Sequence, residues 1–174
     1  MSVTRRIAMV AMLLLAAVLG CGREPTRPVV PFVMMTLSAT PSAGSPASPV
    51  TFNLKVTNAG PTQVWYIEGC GCDAMDVTVL GPDGNAVLLS DPWASYPYPL
   101  CPCGPVSFAP GTDLSGGGRF TGTLFAPSPV SPSPSYAAPA GRYTVIAKFW
   151  YEPGKSLSLP QVELTRRTTF DWHP

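Results

Sequence analysis

From Val50 to Thr57 the chain alternates apolar and polar residues through four cycles, Val-Thr-Phe-Asn-Leu-Lys-Val-Thr. Successive side chains of a β-strand point to opposite faces, so a period of two predicts a strand with one buried face. Short runs of the same kind occupy Gln63–Ile67, Asp76–Leu80, Ala86–Leu89, Arg119–Phe125, Arg142–Phe149 and Val162–Phe170, with Val33–Ala39 upstream. Turn chemistry separates them: Asn58-Ala59-Gly60-Pro61, Gly81-Pro82-Asp83-Gly84, Phe108-Ala109-Pro110-Gly111 and Pro139-Ala140-Gly141. Short strands spaced about ten residues apart, with no helical period after the N-terminal run, predict an all-β antiparallel sandwich of about 7–9 strands. A small closed β-barrel is the alternative. Connections of hairpin length exclude a parallel sheet, which needs crossover helices. The inward face is expected to hold Phe52, Leu54, Val56, Val77, Val79, Phe120, Leu124, Tyr143, Val145 and Phe149.

Composition sharpens this reading through its 22 prolines and 16 glycines. Proline removes a helix hydrogen bond and clashes with the preceding turn, so this abundance fits turns and strand edges instead. Residues 126–140, APSPVSPSPSYAAPA, favour polyproline II and are expected as a Ser/Pro-rich surface loop inside one domain. A boundary there would leave a C-terminal piece of only about 30 residues, too small for its own core.

The N-terminus carries a different pattern. Arg5 and Arg6 precede an apolar run from Ile7 to Leu19, which ends in Gly20-Cys21. A spanning helix needs about 20 apolar residues, and this run is shorter, as the middle of an export signal is. Val18-Leu19-Gly20-Cys21 resembles the lipobox of bacterial lipoproteins. That resemblance implies a signal peptide over 1–20, a lipidated Cys21 (diacylglycerol and then an acyl chain such as palmitate) and an envelope location outside the cytoplasm. Two or three acyl chains hold a protein on a membrane where one does not. Gly22 is not the aspartate of an inner-membrane retention signal, which favours the outer membrane in a diderm cell. Residues 21–31 then form the lipidated end and a proline-rich tether, and 32–174 a single β-sandwich domain. Losing Arg5 and Arg6 takes the formal charge from +1 to −1, and no basic stripe exists for nucleic acid.

With Cys21 lipidated, four cysteines remain, as Cys70-Gly71-Cys72 and Cys101-Pro102-Cys103. An even count in an oxidising compartment predicts disulfides. Pairing within a CxC unit closes a strained loop, so two bridges across the segments are expected. Either Cys70–Cys101 with Cys72–Cys103, or Cys70–Cys103 with Cys72–Cys101, satisfies this. A four-thiolate site for Zn²⁺ or Cu⁺ on the same cysteines is the rival, disfavoured because structural zinc knuckles use CxxC spacing. No cofactor is expected. Between the two units, Trp93, Tyr96 and Tyr98 alternate with prolines. Rings on a stiff backbone suit a binding surface for a protein, peptide or glycan, or a cap on one open end of the sandwich.

Catalytic chemistry finds little to build on, and the expectation is a non-enzyme. The single histidine is His173, and Asp73 and Asp76 are the closest acidic pair. Gly116-Gly117-Gly118 leads into an expected strand rather than a helix, so it is no phosphate loop.

The succession LKVTN at 54–58, VTVLGPDG at 77–84, FAPG at 108–111 and PAGRYTV at 139–145 resembles bacterial extracytoplasmic immunoglobulin-like domains. It is also similar to the family of the Bacillus-type intracellular proteinase inhibitor over about Val50–Phe149. That similarity implies an immunoglobulin-like sandwich and, as a second functional expectation, proteinase inhibition. The chain departs from that family in its export signal, its cysteines and its Ser/Pro insertion. No inhibitory residue carries over by position.

Overall fold

The computed structural model describes residues 32–68, 74–92, 103–154 and 161–174. Among them there is no helix, and the strands form open sheets, antiparallel except where the two-residue β2 (Ala43–Gly44) pairs parallel with β12 (Val162–Trp172), rather than a closed barrel. One layer is three-stranded, in the order β1 (Val33–Thr40), β3 (Val50–Asn58) and β8 (Asp113–Phe120). The other is five-stranded, in the order β2 (Ala43–Gly44), β12 (Val162–Trp172), β11 (Gly141–Tyr151), β5 (Met75–Leu80) and β6 (Ala86–Val87). Two small ladders complete the set: β4 (Val64–Glu68) with β7 (Gly104–Phe108), and β9 (Thr123–Phe125) with β10 (Ser135–Ala137). The fold is an all-β sandwich.

The alternation in β3 does what its period demands. Val50, Phe52, Leu54 and Val56 are buried, while Thr51, Asn53 and Lys55 are exposed. β11 behaves likewise, burying Tyr143, Val145, Ala147, Phe149 and Tyr151 in strict alternation. The packed interior has two connected regions. Around Phe120 one region gathers the rings of Tyr143 at 4.8 Å, Trp172 at 4.9 Å and Phe170 at 5.0 Å between centroids. The other holds Val56, Val64, Phe108 and Phe149. Nine of the ten residues expected to face inward are buried; Val77 is half-buried and packs against both regions.

Several boundaries differ from the sequence reading. The expected strand Arg119–Phe125 is two strands, because the chain turns at Gly122 with φ +83°. A Cβ there would lie 2.2 Å from Cζ2 of the buried Trp172, so only glycine lets the chain pass that ring. Gly116-Gly117-Gly118 does not precede a strand but lies inside β8. A Cβ on Gly117 would fall 2.1 Å from the Phe52 carbonyl oxygen, so the bare backbone allows β8 to approach β3. The Ser/Pro-rich stretch is also stitched into the domain. The Ala126 N–H donates to Pro134 O at 2.8 Å, the Ala138 N–H to Gly122 O at 2.8 Å, and Ser133 and Ala138 are buried. β2, β7 and β10 answer to no strand expected from the sequence, and β10 lies inside the stretch expected as a loop.

Candidate functional site

The ladder of β4 and β7 runs from Val64↔Phe108 to Glu68↔Gly104. The β4 side is fastened to the end of β11, since Trp65 and Glu152 exchange backbone hydrogen bonds of 2.9 and 2.7 Å. Glu68 is the last residue before the segment carrying Cys70 and Cys72, and Gly104 follows Cys103 directly. Opposed residues of an antiparallel pair have Cα atoms about 4.5–5.5 Å apart. The register therefore delivers the start of one cysteine segment to the end of the other. Cys103 is exposed at that end; Cys21, Cys70, Cys72, Cys101, Trp93, Tyr96 and Tyr98 lie outside the described residues.

Beside this end is a hollow of about 220 Å³. Tyr66 and Glu68 of β4 form one wall, Ala74 and Met75 a second and Leu114 of β8 a third, over Phe149. Glu68 and Ala74 are the two residues that flank 69–73, so the hollow opens at the foot of the first cysteine segment. The Tyr66 hydroxyl donates to Glu68 Oε2 at 3.0 Å. Burial raises the Tyr66 phenol above its ordinary range, and the hydrogen bond and negative charge of Glu68 add to the effect. The phenol is thus a fixed, neutral donor. Its ring packs edge-on against Phe108 at 6.2 Å and tilted against Phe149 at 6.1 Å. The hollow is smaller than the roughly 300 Å³ at which small-molecule sites begin. The sequence signal for this wall was Tyr66 and Glu68 two apart in a strand, hence on one face.

The remaining polar residues singled out in the sequence do not assemble. His173 lies exposed beyond β12, with its backbone N–H donated to Gly44 O at 2.9 Å. Asp76 Oδ2 accepts the Thr78 hydroxyl at 3.1 Å, and Asp73 lies outside the described residues. Among the described residues no cluster of three His, Cys, Asp or Glu side chains could hold a metal ion. Among the same residues, no helix is long and apolar enough to cross a membrane.

No family model matches the chain, and no curated protein does. Solved structures similar to it include a β-glucosidase from Listeria innocua in complex with laminaribiose, at 7% identity and a TM-score of 0.42. That likeness covers 83% of this chain and 16% of the glucosidase. A β-glucosidase from Erythrobacter marinus gives 10% identity and a TM-score of 0.39, over 82% of this chain and 16% of that one. A β-D-glucoside glucohydrolase from Trichoderma reesei gives 15% and 0.35, over 83% of this chain and 19% of that one. The chain spans less than a fifth of the length of these proteins. At such scores the likeness carries no inference about this chain.

Proposed function

We propose that the chain is a lipid-anchored, non-catalytic binding module of the bacterial cell envelope. Acyl chains on Cys21 hold it to the membrane, the outer one in a diderm cell, and a cysteine-stapled loop meets a protein, peptide or glycan partner. The anchor rests on the VLGC sequence after a short apolar run. The observation that carries the binding reading is the Glu68↔Gly104 register, which brings the stems of the two CxC segments together beside the Tyr66–Glu68 hollow. Further support comes from the even count of four cysteines that remains once Cys21 is lipidated. Two bridges across the segments would restrict the chain that carries Trp93, Tyr96 and Tyr98, and pre-ordered rings bind with little loss of conformational freedom.

Anchoring and binding are tested separately. Labelled palmitate enters the wild-type protein and is absent from Cys21→Ser, which accumulates as precursor or leaves the membrane; label retained in that variant overturns the anchor. A photo-crosslinking residue at Trp93 or Tyr96 yields a discrete adduct in intact envelopes, and the same probe at the exposed Thr169 of β12 does not. Equal adducts from both positions, or none from the loop, overturn the binding reading.

A further inference from the structure

At the other end of β5 lies a second hollow, of about 350 Å³. Met75 borders the first hollow and Gly81 the second, six residues apart along one strand and its end, or about 20 Å at strand rise. Its floor is Leu124 and the buried Tyr143; its walls are Pro82, Asp83 and Val87 on one side and Tyr136 and Pro139 on the other. The Tyr143 hydroxyl is used in the fold, donated to Pro139 O at 2.9 Å. Tyr136 is 47% exposed, so its ring is available as a surface.

The anionic group of this hollow is pre-ordered. Asp83 Oδ1 accepts the Asn85 backbone N–H at 3.0 Å and Oδ2 accepts Asn85 Nδ2 at 2.9 Å. A carboxylate offers about four acceptor sites, so these bonds leave capacity for a further donor. The nearby Arg142 does not supply a countercharge, because it is turned to Asp171 in a two-pronged pair of 3.0 and 3.3 Å. A fixed carboxylate, an exposed phenol ring and proline walls suit a planar cation with an aliphatic stem. Guanidinium stacks on aromatic faces and bonds a carboxylate through two parallel N–H groups, whereas ammonium is a compact, strongly hydrated point charge.

We propose that this hollow binds an arginine side chain of a partner polypeptide, its guanidinium paired with Asp83 and stacked on Tyr136. The site uses neither the anchor nor the cysteines. The full chain in detergent is titrated calorimetrically with N-acetylarginine amide, and with the lysine and citrulline analogues. The arginine compound saturates, and the uncharged citrulline analogue of the same shape binds at least about tenfold more weakly. Lysine also binds more weakly. Asp83→Asn lowers arginine affinity by about tenfold while keeping an acceptor for the Asn85 N–H, and Tyr136→Ala lowers it by roughly threefold or more. Both side chains are exposed, so both variants retain the wild-type melting temperature. Equal binding of citrulline or lysine, indifference of either variant, or no saturable binding of arginine overturns the proposal.

Discussion

Asn58 is fully buried, and its side chain closes three contacts at once. The amide nitrogen donates to Thr62 O at 2.9 Å and Phe108 O at 2.8 Å, while Oδ1 accepts the Gly60 N–H at 3.2 Å. One residue thus shapes the turn after β3 and ties it to the end of β7. Asn58→Ala leaves two carbonyl oxygens without their donor and is expected to destabilise by about 2–4 kcal/mol. Urea unfolding should show a lower midpoint with an unchanged slope. The turn itself was legible in Asn58-Ala59-Gly60-Pro61; the bond to a carbonyl 50 residues away was not, because local chemistry carries no information about distant partners. Tyr143 offers a test by pH. Burial, followed by the nearby acidic groups Tyr136 and Asp83, pushes its phenol up to about 12 from an ordinary 10. The neutral form is therefore favoured in the folded state. Its contribution to stability is complete below about pH 10 and is lost as pH rises towards 12. Denaturant midpoints measured across that window should fall for the wild type and fall less for Tyr143→Phe.

The strands with a clear period of two were legible as elements, and those without one were not. β3 and β11 each bury every second residue and need no neighbour to be identified. β8, with the sequence DLSGGGRF, has no such alternation. It is a strand because β3 pairs with it from Val50↔Phe120 to Thr57↔Asp113, and its glycines permit the approach. β7 begins Gly-Pro after the second cysteine unit and shows itself only through its partner β4. The break between β8 and β9 makes the most specific demand on sequence. Gly122 needs both a left-handed backbone and the space that Trp172 already occupies. Gly122→Ala should destabilise by about 2–4 kcal/mol, combining backbone strain with overpacking. Gly118→Ala, whose Cβ would meet only Phe52 Cδ2 at an ordinary 3.6 Å, should lower the melting temperature far less. Equal losses in the two variants would remove Trp172 as the cause.

At the scale of the molecule, the Tyr66–Glu68 hollow and the arginine hollow sit at opposite ends of β5, each built where several elements converge. The proposed stapled loop rests on residue type and spacing in the sequence, and all of its candidates but Cys103 lie outside the described residues. The Tyr66–Glu68–Met75 hollow was not legible in the sequence, since four strands from separate parts of the chain compose it. The proposed double staple makes a prediction for the whole domain. With both bridges formed, the natively exported protein should weigh four hydrogens less than its thiol form, and thiol reagents should label nothing until a reductant is added. A bridge closing about 30 residues contributes roughly 3–4 kcal/mol in the chain-entropy picture, and the second closes little additional loop. Against a total stability of about 5–15 kcal/mol, reduction should lower the melting temperature by roughly 10 °C. The loss should appear in β4 and β7 first, because the Glu68↔Gly104 end of their ladder is where the staples attach. Amide exchange in the reduced protein should accelerate at Val106 and Ile67 before it does in β3 and β11. Four free thiols together with one co-purified zinc or copper ion per chain would replace the staples with a metal site.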